Sequence, residues 1–269
     1  MNNIDLQQLA QYIYDFCGID YLNNLPSLES KIAGRLKELN LSLWEYCGYI
    51  KVDEIERDIL VELITVNETY FFREENLLNE LKTVIFPLYK HRPSYNPLRI
   101  WCAACSSGEE PYTLAMLIKE TNLFNEGSVE IIASDINKKV LNKAQNALYG
   151  KRSLSFRKMP EGMLNKYFDE LDEEYKVKEE VRKLVKFKHL NMFDKNMKDV
   201  IGNVDILICR NVLIYFDLES IRHIAKSFYD IINPNGYLLL GHAETVTSIN
   251  PGFETIYTPS IFYYKKGEK

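Results

Sequence analysis

The sequence of 269 residues has no apolar run approaching the roughly 20 residues that a helix needs to cross a bilayer. Its start, MNNIDLQQLAQY, has neither a basic segment nor a continuous apolar one, so no secretory signal and no membrane insertion are expected. Cysteine is scarce and odd in number (Cys17, Cys47, Cys102, Cys105 and Cys209), which points to free thiols in a reducing cytoplasm rather than a disulfide framework. There is one C-x-x-C, Cys102 to Cys105, and no second. His91, His189, His223 and His242 stand far from one another, so no metal site is expected. The C-x-x-C could be a redox pair, but small residues at a tight turn account for it as well. Positive charge is also short: 33 Lys and Arg face 38 Asp and Glu, a net charge of −5, which argues against bulk nucleic-acid binding and leaves only local basic patches. Internal repeats, low-complexity tracts and a G-x-G-x-x-G turn are missing. What is present is a 46% hydrophobic composition, enough for a substantial core, with 18 Tyr and 13 Phe scattered as packing residues would be.

The apolar residues divide the chain in two. Over residues 1–80, Leu6, Leu9, Ile13 and Phe16, then Leu28, Ile32, Leu36 and Leu39, recur at helical spacing. Gly18 ends the first set, and Ser42 to Glu45 and Asp53 to Glu56 have the spacing of helix starts. An all-helical N-terminal domain is expected there. A linking helix from Asn76 to Tyr89 leads to HRPSYNPLR, a boundary rich in proline and polar residues. Over residues 81–269 strand and helix candidates alternate: 98–104, 108–120, 129–134, 137–148, 204–209, 218–232 and 237–241. VDILIC and YLLLG are apolar on both faces, as buried parallel strands are. This alternation predicts a doubly wound α/β sheet, closed by a late strand pair in TIYTPSIFYYKK. Residues at about 150–190 break the rhythm and read as a small inserted antiparallel β-subdomain.

The chemistry gathers at IWCAACSSGEEPYTLAM, residues 100–116, a strand, a tight turn and a helix start. Ligands of open α/β sheets sit beyond such strand ends. Here Glu109 and Glu110 stand where a diphosphate would otherwise meet the helix, and their charge would repel it. The second strand ends at Asp135, where a carboxylate can accept from ribose hydroxyls. Each feature has a plainer account: acids in a first turn suit the helix dipole, Pro111 suits an early helical position, and Asp135 could cap a helix. Together, at adjacent strand ends, they favour a ligand with a ribose, a cation and no phosphate. S-adenosylmethionine has that chemistry.

Three further strings complete a pattern: NETYFFRE (67–74), the turn above, and CRNVLIYF (209–216), with ASDI, HLNMF and GHAE between and after them. In this order they resemble the chemotaxis receptor glutamate O-methyltransferases, the CheR family, over nearly the whole chain. The resemblance implies a Rossmann-like S-adenosylmethionine-dependent methyltransferase that esterifies glutamate side chains in the cytoplasmic helices of chemoreceptors, with no metal. It further implies that Asn67, Thr69 and Arg73 lie on a helix reaching over the cofactor, that Glu110 is its acidic contact, and that Asp135 holds the ribose. Asn191 and Met192 would lie near the adenine, with Met a departure from the usual Leu. Cys209 and Arg210 would approach the cofactor, and Tyr215 would stand near the transferred methyl; Tyr215 and Arg73 are the catalytic candidates, either of which could hold the substrate carboxylate.

Some members grip a receptor C-terminal pentapeptide through a longer, glycine-containing loop of the inserted subdomain. Here YFDELDEEYKVKEEV has no glycine, and five acids lie between Phe168 and Tyr175, so recognition without that tether is expected. Basic faces, including Lys31, Arg35 and Lys37, would meet the receptor helices instead, and the protein would be cytoplasmic, recruited to receptor arrays. Two other readings stand beside this one: a receptor-binding module without catalysis, and a nucleic-acid methyltransferase using those cations and the Lys/Arg-rich segment 176–188.

Overall fold

The computed structural model describes residues 3–249 and 252–268. Four helices come first: α1 (Asn3–Cys17), α2 (Leu25–Leu39), α3 (Leu43–Val52) and α4 (Glu54–Ile64). Leu6, Leu9 and Ile13, then Leu28, Ile32 and Leu36, are buried with Tyr46, Ile50, Leu60 and Ile64 in one cluster, because a three-four spacing places them on a single stripe of each helix. The starts of α3 and α4 are capped by side chains. Ser42 Oγ accepts from the Glu45 N–H and Glu45 Oε2 accepts from the Ser42 N–H, while Asp53 Oδ1 accepts from the Glu56 N–H; each cap contributes about 1 kcal/mol. Arg35 points inward, with Nη2 2.6 Å and Nε 2.9 Å from the buried Glu56 carboxylate. Lys31 donates to the Leu63 carbonyl at 3.1 Å. Two of the three cations expected to face a partner are thus engaged by acceptors on α4, with Glu38 of α2 also 2.9 Å from Arg35 Nη1.

The linking helix runs as α5 (Glu75–Glu80), a π turn (Leu81–Ile85) and α6 (Phe86–Leu88), where Pro87 lacks the N–H that an unbroken α-helix would use. There follow β1 (Leu98–Ala103), α7 (Glu109–Thr121), β2 (Val129–Asp135), α8 (Lys138–Asn146), β3 (Leu148–Gly150), α9 (Met163–Tyr167), β4 (Phe168–Glu170), β5 (Glu174–Val177), α10 (Glu179–Arg182), β6 (Val185–His189), α11 (Met197–Ile201), β7 (Val204–Cys209), α12 (Leu218–Ile231), β8 (Ile232–Leu240), β9 (Phe253–Tyr257) and β10 (Phe262–Lys266). The large sheet has the order β6-β2-β1-β7-β8-β10-β9; β6, β2, β1, β7 and β8 are parallel, and β10 is antiparallel to both neighbours. Every residue of β7 is buried, as a central strand covered on both faces requires. The fold is a doubly wound methyltransferase-type α/β sheet preceded by helices.

The inserted antiparallel sheet is smaller than expected. It has the order β3-β5-β4 and spans residues 148–177, whereas β6, placed by the sequence reading inside an insertion reaching about 190, pairs with β2 in the large sheet. Its pattern VKFKH alternates like an exposed strand because it lies at the sheet edge. Strand order then reverses between β1 and its two neighbours, β2 and β7, which opens a crevice at their carboxyl ends.

Candidate active site

That crevice is a cleft open to solvent, walled on one side by the helical region (Cys17, Ile19, Ile64 to Thr69) and on the other by the strand ends. It is lined by Asn67, Thr69, Arg73, Glu110, Asp135, Asn191, Met192, Arg210 and Tyr215, nine residues singled out in the sequence that the chain brings to one place. Cys209 is the exception. It is fully buried in the core with Trp101 and Phe228, because successive strand residues face opposite sides and the cleft falls to Arg210.

The turn after β1 is strained and tightly braced. Ala104 (φ 54), Ser106 (φ 49) and Gly108 (φ 93) alternate in left-handed conformations, each costing about 1–3 kcal/mol for a non-glycine residue. A Cβ at Gly108 would lie 2.8 Å from the Ala144 Cβ of α8, so only glycine lets the two elements approach. The Ser106 N–H donates to Asp135 Oδ2 at 2.8 Å, the Ser106 hydroxyl to the Asn67 carbonyl at 2.9 Å, and the Tyr149 hydroxyl to the Ser107 carbonyl at 2.7 Å. Asp135 Oδ1 also accepts from the Asn137 N–H at 2.8 Å. The cap of α8 is Asn137, whose side chain accepts from Lys139 and Val140, so Asp135 is not the helix cap. Its carboxylate keeps lone pairs beyond these two bonds. Burial pushes its pKa up, with the Asn137 and Ser106 N–H groups pulling it back.

The two adjacent glutamates part company, because neighbours on a helix do not face the same way. Glu110 turns into the cleft and accepts from Arg210 Nη1 at 2.7 Å. Glu109 turns into the core, where Oε2 accepts from Ser107 at 2.7 Å and Oε1 from Ser155 at 2.8 Å, tying the turn to the small subdomain. Arg210 is itself buried: Nη2 donates to the Arg73 carbonyl at 2.9 Å and lies 3.3 Å from Glu74, while Nε has no partner among the described residues. Burial raises the Glu110 pKa, opposed by the Arg210 charge.

Residues 67–74 are not the helix that the resemblance implied. The segment is irregular, with Phe72 (φ 59) and Glu74 (φ 61) left-handed on either side of Arg73. Its donors go elsewhere: the Phe71 N–H to the Ser155 carbonyl at 2.9 Å and the Phe72 N–H to Thr113 Oγ1 at 3.1 Å. Asn191 spans the two halves, with Nδ2 2.6 Å from the Phe16 carbonyl and Oδ1 accepting from the Phe193 N–H. Tyr215 is half-buried at the end of a short 3-10 turn, and its hydroxyl has no hydrogen-bond partner among the described residues. Burial raises its pKa, against the pull of Arg73, so it remains a neutral O–H donor near pH 7. Cys102 and Cys105 are buried thiols whose pKa values desolvation pushes well up, the opposite of what a redox pair needs.

Two contributors escaped the sequence reading. The wall formed by Cys17, Ile19 and Ile64 to Val66 is apolar helix-end sequence with no polar signature. Glu244 is buried and accepts from four backbone N–H groups; it lies in the GHAE string, which by itself gives it no role.

The profile described as CheR methyltransferase, SAM binding domain, matches residues 67–262. The chain is 34% identical to chemotaxis protein methyltransferase 2 of Vibrio cholerae, over 98% of this chain and 94% of that one. It is also 34% identical to a chemotaxis protein methyltransferase of Borreliella burgdorferi, over 90% and 88%. Among solved structures, magnesium protoporphyrin IX methyltransferase from Synechocystis PCC 6803 with bound SAM is similar at a TM-score of 0.39 and 15% identity, covering 80% of this chain and 82% of that one. With the profile spanning the turn, the cleft and the Tyr215 loop, and such relatives matching nearly end to end, the chain belongs to the CheR methyltransferase family.

Proposed function

We propose that the cleft binds S-adenosylmethionine and that the protein esterifies glutamate side chains in the cytoplasmic helices of chemoreceptors. The observation that carries this reading is the meeting of Glu110, Asp135, Arg73 and Tyr215 in one cleft, beside a buried Arg210 Nε with no partner among the described residues. The residues fit the cofactor's parts. Asp135 has lone pairs for ribose hydroxyls, and Glu110 beside Arg210 complements a group carrying both an ammonium and a carboxylate. Met192 and Asn191 provide an apolar and amide-bearing surface for the adenine.

When bound, S-adenosylmethionine supplies a methyl group on a positively charged sulfur. A glutamate side chain, with an ordinary pKa of about 4.3, is already an anion at neutral pH and needs no general base. What the protein contributes is position and exclusion of water. Tyr215, kept neutral, can donate its O–H to one carboxylate oxygen and leave the other free to react. Arg73, flanked by two left-handed residues, offers the charge that draws the carboxylate in.

We further propose recognition without a pentapeptide tether, by a cytoplasmic protein recruited to receptor arrays. The stretch corresponding to that loop of the subdomain is instead a hairpin: α9 runs directly into β4, and the turn at Leu171 to Glu173 returns as β5. Five acids on this hairpin oppose a peptide carboxylate. A nucleic-acid substrate has less support, because Lys183 and Lys186 pair with Glu126 and Glu130 at 2.7 Å. Incubation with labelled S-adenosylmethionine and receptor-containing membranes tests the main reading. Base-labile methyl esters on the receptor are expected, and label that is absent or base-stable refutes it. Titration with a receptor C-terminal pentapeptide tests the second part, and micromolar binding overturns it.

A further inference from the structure

Glu244 lies outside the cleft, and no step of the proposed chemistry needs it. It is nevertheless 4% exposed, in the loop that follows β8, with a carboxylate facing four amide hydrogens. Oε1 accepts from the Val212 N–H at 2.8 Å and the Leu213 N–H at 2.7 Å. Oε2 accepts from the Asn211 N–H and the Gly241 N–H, both at 2.7 Å. Three of these donors are consecutive residues of the loop after β7, which enters its 3-10 turn at Leu213 and ends at Tyr215. Amide groups at the start of a helical turn have no partner within the turn, and a carboxylate suits them better than any neutral acceptor.

The loop needs that hold. Asn211 is left-handed (φ 59), and its neighbour Arg210 carries the buried contacts to Glu110 and Glu74. The carboxylate also fits closely against β8: a Cβ at Gly241 would lie 2.6 Å from Glu244 Oε2 and 3.0 Å from Asn211 Nδ2. Arg210 has its own buried partners, so it is Tyr215, at the far end of the loop, that depends on the carboxylate beneath residues 211–213.

We infer that Glu244 is a positioning residue for methyl transfer, acting through the backbone of residues 211–213 to set the Tyr215 hydroxyl against the cleft. The inference rests on the methyl-transfer reading above. Gln at 244 has one acceptor oxygen and turns its NH2 group toward two amide hydrogens, so at least two of the four bonds are lost.

The test is a double-mutant cycle between Glu244→Gln and Tyr215→Phe, in the full chain with labelled S-adenosylmethionine and receptor membranes, alongside calorimetry with S-adenosylhomocysteine. Glu244→Gln alone should lower kcat about tenfold or more while S-adenosylhomocysteine affinity changes less than about threefold. In the Tyr215→Phe background the same change should lower kcat by less than about threefold, because the group that it positions is gone. Gly241→Ala, which displaces the carboxylate without removing its charge, should behave alike and stands in if Glu244→Gln does not fold. Losses that multiply in the cycle, or affinity that falls in step with kcat, overturn the inference. A wild-type protein that makes no methyl ester refutes the function itself, which is a separate result.

Discussion

Replacing Glu110 by Gln removes one charge and changes the shape of the side chain very little. In the free protein Arg210 keeps Glu74 at 3.3 Å and the Arg73 carbonyl at 2.9 Å, and the new amide oxygen can still accept from Nη1. The fold should therefore lose about 1–2 kcal/mol rather than the roughly 3–5 kcal/mol of a buried charge left with no partner. The ligand loses more. A hydrogen bond between its ammonium and the carboxylate contributes about 1.5–3 kcal/mol, so S-adenosylhomocysteine should bind about 10- to 150-fold more weakly. Calorimetry with a second ligand isolates the cause. 5′-Methylthioadenosine has the same adenine and ribose but neither ammonium nor carboxylate, and Glu110→Gln should leave its affinity unchanged. Equal losses for both ligands would mean that the substitution has disturbed the turn, and an unchanged S-adenosylhomocysteine affinity would refute the placement of the ammonium.

Asp135→Ala should weaken both of those ligands, by about 1.5–3 kcal/mol, since both carry the ribose; selective loss of one refutes the ribose assignment. The pH dependence follows from burial, which raises the Glu110 and Asp135 pKa values. An acid whose pKa is raised by folding takes up protons more readily when folded, so its contribution to the stability of the free protein is present at low pH and is lost as pH rises through the raised pKa. Ligand binding needs the anions and runs the other way. S-adenosylhomocysteine affinity should fall on acidification while the pH is still above the ordinary carboxylate range, and Glu110→Gln should flatten that slope; affinity unchanged down to that range refutes the argument. Gly18→Ala places a methyl 2.1 Å from the Phe193 ring at a left-handed position (φ +76). It should destabilise the fold by about 2–5 kcal/mol, read as a lower urea midpoint, and an unchanged midpoint would show that this contact between the helical region and the segment after β6 yields freely.

The sequence by itself determined the helices of residues 3–64, the alternating α/β order and nine of the residues that line the cleft. Those features are local: a three-four stripe such as Leu28, Ile32 and Leu36, or an all-apolar strand such as VDILIC, is written in neighbouring residues. The same holds for Glu110 and Asp135, because strand ends of an α/β sheet meet wherever strand order reverses. Only the tertiary structure decided the rest. It separated Glu109 from Glu110 by helix rotation, and it sent Cys209 into the core and Arg210 into the cleft by strand alternation. Residues 67–74 were held out of a helix because their N–H groups found partners at Ser155 and Thr113, far away in sequence. Strand β6 went to the large sheet because β2 had a free edge for it. Glu244 acquired its place because four amide hydrogens from two loops converge on one carboxylate. Backbone donors carry no residue identity, so a site built on them leaves little trace in the order of side chains.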